Sequence, residues 1–313
     1  LSTAPTPILV AGVPRSSTTW LATLLAAAAG TDPLNEPDNH HHQLHAAPAK
    51  IGLGSFPVLA PGDEAASLER LWSRVLAGTW PRNDEPEIVA AAAGVAGLSI
   101  AALDAMLFDP AAYRDALDQL AAATEAWAPA GTPRPPAVVK TVQMSLALEW
   151  FNERFPDVAI VVVERHPLDV VASWRYQFES DLGRIDPRWH AIRGLEDAPD
   201  PPDGAAPLAA RIAWRVGVLT TAQRGASERL GCTVLHHEEL CAEVDDLVPA
   251  LSWRLGLPFP AAAAAKAAET DRPGGGYEIN RLRAGLANTA RDRLPDDERR
   301  AAERMLACFP LDL

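Results

Sequence analysis

The chain has 313 residues, 48% apolar and 22% charged, which suits one large globular domain or two ordinary ones and excludes a disordered chain. Its net charge of −13 and isoelectric point near 5.0 speak against a protein that wraps nucleic acid or another polyanion, because such binders present a basic face. Three cysteines, Cys232, Cys241 and Cys308, are too few for a disulfide scaffold and imply a reducing, cytoplasmic compartment.

No basic leader opens the chain. Its start, Leu1-Ser2-Thr3, has no initiator Met and is expected to be trimmed or processed. Pro7-Ile8-Leu9-Val10-Ala11-Gly12 is a short apolar run ending in Gly, the pattern of a buried strand. Val13 to Ser17 follows as a loop. Thr18 to Ala29 is a helix stopped by Gly30. Residues 31–39 read as a short second strand entering a loop. The block 40–130 is read as a mainly helical insertion that shapes a substrate pocket, with helices at 63–78 and 110–127. Within it, Ile88–Phe108 is about long enough to span a membrane. Its Ala and Gly content and the internal Asp104 favour one or two buried helices instead.

Strands are expected at 137–140 and 158–164. The second is almost wholly Val and Ile, as in a strand buried on both faces. Helices follow at 146–154, 168–179 and 208–230, a loop at 196–207, a strand at 233–236, and helices at 261–268 and 296–308. Strands alternating with helices at this spacing imply βαβ units. The expectation is a single α/β domain over 1–313, three-layer α/β/α with a central parallel sheet.

The most informative segment is Gly12-Val13-Pro14-Arg15-Ser16-Ser17-Thr18-Thr19-Trp20, between a buried strand and a helix. Backbone N–H groups of such a loop and of the helix start form a concave anion site. Ser16, Ser17, Thr18 and Thr19 add hydroxyls and Arg15 adds charge. Against the nucleoside triphosphate loop G-x-x-x-x-G-K-[ST], position 18 holds Thr where Lys is needed, and the positive charge has moved to Arg15. That suits a smaller anionic group better than a triphosphate with Mg²⁺. A serine-rich turn that merely caps a helix is the plainer alternative.

A second strand–helix junction lies far downstream at Glu164-Arg165-His166-Pro167-Leu168-Asp169-Val170-Val171-Ala172-Ser173-Trp174. Arg165 leaves the strand, Pro167 favours a first helical turn, and Ser173 falls two turns on. A guanidinium and a hydroxyl converging there can grip a phosphate. The alternative is an Arg165–Asp169 surface ion pair.

Together these segments resemble the sulfotransferase family. Pro14 to Trp20 resembles its 5′-phosphosulfate loop, P-[KR]-S-G-T-T-x-L, with Ser17 in place of the usual Gly. Arg165, Pro167 and Ser173 match its 3′-phosphate motif, R-x-P-x-x-x-x-x-S. Val139-Lys140-Thr141, Trp150-Phe151, Arg154-Phe155-Pro156, Trp214-Arg215 and His236-His237-Glu238-Glu239-Leu240 resemble intervening pieces, with His237 where Tyr is usual. The resemblance covers roughly 7–35, 137–180 and 208–260 and leaves out 40–130. It implies a P-loop-like topology, 3′-phosphoadenylyl sulfate (PAPS) as co-substrate, 3′,5′-ADP as product, and no required metal. Pro14 to Trp20, Arg165 and Ser173 would bind the nucleotide, with Arg281, Arg283 and Gly285 as a C-terminal basic loop over the 3′-phosphate. That last cluster is otherwise a solvated turn.

Sulfuryl transfer to a hydroxyl needs a base and charge on the leaving side. In Leu34-Asn35-Glu36-Pro37, Glu36 stands at a strand's C-terminal end, where ligands of open parallel sheets bind. The "N-E-P" run resembles the family's bacterial branch, which implies Glu36 as base. His41, within His40-His41-His42, is the alternative, and Glu36 bracing Arg15 the non-catalytic one. Adjacent histidines are expected to diverge and lack an accompanying carboxylate, so no metal site is assigned. Lys140 and Arg15 are candidates to neutralise the leaving phosphate, unless Lys140 snorkels to the surface. The acceptor is expected to be a small, uncharged or apolar molecule. This rests on the acidic surface and the nine Trp. Nucleic acid and membrane are not expected as partners, and oligomeric state is not legible. Two rival functions stay open: a non-catalytic nucleotide-binding relative and a P-loop small-molecule kinase.

Overall fold

The computed structural model describes residues 6–175, 188–189, 192–272 and 291–311. In chain order the strands are β1 (Ile8–Gly12), β2 (Leu34–Asn35), β3 (Val138–Thr141), β4 (Ala159–Glu164) and β5 (Thr233–His236). The helices are α1 (Thr18–Ala29), α2 (Ala66–Leu76), α3 (Pro86–Ala91), α4 (Ile100–Phe108), α5 (Arg114–Ala126), α6 (Leu148–Arg154), α7 (Pro167–Arg175), α8 (Leu208–Leu230), α9 (His237–Arg254), α10 (Pro260–Thr270) and α11 (Asp296–Leu306).

The five strands form one parallel sheet in the order β2-β3-β1-β4-β5. Both faces are apolar, and alternate residues serve opposite sides. Ile8, Val10, Val138, Val161 and Val163 pack with α1, α9 and α10. Leu9, Ala11, Val139, Ile160 and Val162 pack with α2 and α6. This is the expected α/β/α layering. A third cluster joins α7, α8 and α11, and a fourth joins α4 and α5 within the 40–130 block.

Because every strand is parallel, the C-terminal ends of β1, β2, β3 and β4 open on one edge, the edge where such sheets bind ligands. Central β1 delivers Gly12 there, and its register sets Val10 between Lys140 and Val161. β2 is only two residues long. The Glu36 N–H nevertheless continues the pairing to the Lys140 carbonyl at 2.7 Å.

One region matches the sequence reading and another lies beyond it. Ile88–Phe108 resolves into α3 and α4, and no helix among the described residues is long and apolar enough to cross a membrane. The sequence pattern assigns no element to 237–254, where α9 lies. Pro249 sits inside it, and Glu243 has φ −124° and ψ 22° at a kink. An internal Pro removes a donor and normally signals a helix end; burial of Leu240, Val244, Val248 and Leu251 holds this one together.

Candidate active site

The loop after β1 is shaped by close approach. A Cβ on Gly12 would lie 2.5 Å from Thr18 Cγ2 and 2.8 Å from the Val163 carbonyl oxygen, so only glycine lets the chain tuck between β4 and α1. Arg15 (φ 76°), Ser17 (φ 71°) and Glu36 (φ 48°) are the non-glycine residues with left-handed backbone among those described. Each costs about 1–2 kcal/mol, and all three lie at this edge of the sheet. The surroundings enforce the conformation. Ser16 Oγ donates to the Val13 carbonyl at 2.7 Å, Trp174 Nε1 to the Pro14 carbonyl at 3.0 Å, and Arg165 Nη1 to the Arg15 carbonyl at 3.1 Å.

The two strand–helix junctions therefore meet. Arg15 Nε donates to Ser173 Oγ at 2.9 Å, so the hydroxyl expected beside Arg165 is shared with the first loop. Asp169, the alternative partner considered for Arg165, is fully buried and binds Arg291 at 2.9 Å. Thr18 is buried and Thr19 half-buried. The Trp20 ring lies in the core with its Nε1 donating to Thr270 Oγ1 at 3.0 Å, which leaves its backbone for the loop. Arg281, Arg283 and Gly285 lie outside the described residues.

Glu36 pairs with Lys140. Lys140 Nζ donates to Glu36 Oε1, and Lys140 is 4% exposed, so it does not snorkel. Burial, then the nearby Arg15 charge, pull its ammonium down to about 7, while the touching carboxylate favours the charged form. Glu36 Oε2 accepts from Asn39 Nδ2. Asn39 Oδ1 accepts from Gln143 Nε2 at 3.0 Å and from the His41 N–H at 3.1 Å. Gln143 Oε1 in turn accepts from Lys50 Nζ. A chain of polar side chains thus runs from Glu36 back to Lys50, which is fully buried. Burial lowers the Lys50 ammonium to about 8 against the opposing charges of Asp38 and Asp104. Asp38, raised by burial, accepts from Thr141 Oγ1 at 2.7 Å.

The histidines do not diverge. His40 Nε2 and His41 Nε2 lie 3.1 and 2.6 Å from the same Asp104 Oδ1, and Ser55 Oγ donates to that oxygen too. Burial opposes the Asp104 carboxylate, yet hydrogen bonds from His40 and His41 outweigh it and hold the group below the usual carboxylate range. Burial lowers His40 to about 3. The three donor atoms lie within 4.8 Å of one another, a set a divalent ion could use by composition. Here one carboxylate oxygen already serves three donors, and Lys50 acts on it electrostatically. The motifs miss Lys50, Ser55, Asp104 and Gln143. The one signal for Asp104 is a carboxylate inside an otherwise apolar helix.

The tryptophans are committed elsewhere. Trp20, Trp72, Trp150, Trp174, Trp189 and Trp214 are buried, so most of the nine serve packing, and their number says little about an acceptor.

The profile described as "Sulfotransferase family" matches residues 7–261. The chain belongs to the sulfotransferase family. Among solved structures, this sulfotransferase is similar to the sulfotransferase domain from the curacin biosynthetic pathway. That match has 15% identity, covers 99% of this chain and 100% of that one, and has a TM-score of 0.44. It is also similar to sulfotransferase STF9 from Mycobacterium avium, at 14% identity over 100% and 79% of the two chains, TM-score 0.41. The sulfotransferase domain of the Synechococcus PCC 7002 olefin synthase matches at 14% identity over 99% and 97%, TM-score 0.43. No curated protein matches the sulfotransferase.

Proposed function

We propose that this sulfotransferase moves the sulfuryl group of PAPS to the hydroxyl of a small, uncharged or apolar acceptor and releases 3′,5′-ADP. The carrying observation is that the two cationic strand–helix junctions abut, through Arg165 on the Arg15 carbonyl and Arg15 on Ser173. Two arginines brought to one strand edge favour an anion there. One adenosine bisphosphate would occupy both, with the Gly12–Thr19 loop on its 5′ side and Arg165 with Ser173 on its 3′-phosphate. The residues present fit that group.

In the transfer the acceptor oxygen bonds to sulfur as the bond from sulfur to the 5′-phosphate oxygen breaks. The acceptor proton passes to Glu36, and Lys140 and Arg15 offset charge on the leaving phosphate. Lys140 and Glu36 are paired. A leaving phosphate that draws Lys140 away would free Glu36 Oε1 at the moment a base is needed. No step calls for a metal. The net charge of −13 disfavours a polyanionic acceptor. The free thiols of Cys232, Cys241 and Cys308 suit a cytoplasmic setting.

A second reading makes His41 the base, oriented by Asp104 at 2.6 Å in the manner of a carboxylate-oriented imidazole. Calorimetry with 3′,5′-ADP, followed by transfer assays from PAPS to a panel of alcohols, tests the proposal. Binding without transfer to any alcohol supports a non-catalytic relative. Preference for ATP with Mg²⁺ supports a kinase. Absence of 3′,5′-ADP binding overturns the PAPS reading.

A further inference from the structure

Ser17 holds the position that opens α1, where serine ordinarily accepts a hydrogen bond from an N–H of the first turn. Here its side chain makes no such bond, and its backbone is left-handed, with φ 71° and ψ 20°. The hydroxyl instead meets His237 Nδ1 at 2.9 Å, across 220 positions of sequence. His237 is the first residue of α9 and is 3% exposed. Cys241 Sγ lies 3.6 Å from its Nε2, and the α9 side chains Leu240, Cys241 and Val244 share a core with Leu21, Leu24 and Leu25 of α1. The imidazole is thus fixed by packing on the helix that the loop feeds.

We propose that His237 is a positioning residue for the donor loop, acting through Ser17. The proposal rests on the PAPS reading above. Held by the imidazole, the Ser17 hydroxyl anchors the turn whose N–H groups open α1. The positive end of α1 stays open to the donor's anionic group. The same contact stabilises the left-handed backbone that aims those groups, a conformation glycine would adopt unaided.

The test uses the full chain and calorimetry with 3′,5′-ADP. His237→Phe keeps a ring of similar size and removes Nδ1; it should weaken binding about tenfold. Ser17→Gly supplies the reference background, against which the second substitution is read. His237→Phe in the Ser17→Gly background should stay within about twofold of Ser17→Gly alone, since glycine needs no anchor. His237→Asn, whose amide can reach the same hydroxyl, should also stay within about threefold. An equal loss in both backgrounds, or unchanged affinity in His237→Phe, overturns the proposal. If His237→Phe does not fold, Ser17→Ala, which removes only the hydroxyl, should show the same loss, and normal binding there overturns it. A wild type that does not bind 3′,5′-ADP sinks the PAPS reading and this proposal together. A wild type that binds while His237→Phe binds equally well sinks this proposal alone.

Discussion

The two halves of the site are built from different materials. The half proposed to hold the donor uses strand ends, a glycine and backbone groups. Gly12 admits the loop, the Pro14 and Arg15 carbonyls accept from Trp174 and Arg165, and two arginines supply charge. The half around Glu36 uses buried side chains from scattered positions, with Lys50, Asp104 and Gln143 tied to Glu36, Asn39, His40 and His41. The first kind of site follows from local geometry and tolerates change around it. The second depends on every partner being in place, because an unpaired buried polar group is costly.

The sharpest way to break this division is Glu36→Gln. It should lower turnover roughly 10²–10⁴-fold while leaving 3′,5′-ADP affinity within about threefold. Unchanged turnover there, with a collapse in His41→Ala, moves the base to the imidazole. Next, Arg165→Ala should weaken 3′,5′-ADP roughly 10–100-fold, the scale of a lost charge-assisted contact, with little change in turnover at saturating donor. A loss of turnover alone would contradict the assignment of that half to binding.

A third test concerns pH. His40 and His45 are lowered by burial to about 3 and about 4. Between about 6.5 and those values the unfolded chain binds protons that the folded chain refuses, so stability must fall as pH falls. Each histidine contributes at most about 1.4 kcal/mol per pH unit. Urea unfolding from pH 6.5 to 4.5 should show this slope, and His40→Gln should flatten it by up to one proton's worth. An identical slope in that variant would mean His40 is not held neutral. Smallest is Asn39→Ala, which removes one donor to Glu36. It should cut turnover about three- to tenfold without altering 3′,5′-ADP affinity, and an equal loss in binding would show the two halves to be one network.

This contrast also explains what could be read from the chain. β1 and β4 are short continuous apolar runs of the kind a sheet buried on both faces requires, and the loop after β1 is contiguous in sequence. Glu36 was visible because it follows a strand. Its partners were not. Lys50 and Asp104 sit 14 and 68 positions further along the chain, in an Ala-rich block with no periodic signal. Only folding shows that adjacent histidines can meet one carboxylate. α9 has no counterpart in the sequence reading, and the tryptophans, which looked like pocket material, are mostly core.

Lys50 belongs to the segment 44–55, yet its ammonium bonds the Ser55 carbonyl at 2.5 Å and also Gln143, two links from Glu36. If the 40–130 block chooses the acceptor, recognition and proton removal share a lever. Retailoring this enzyme for a bulkier alcohol by altering that block would then disturb the base as well, and broadened substrate range and preserved speed would have to be sought jointly.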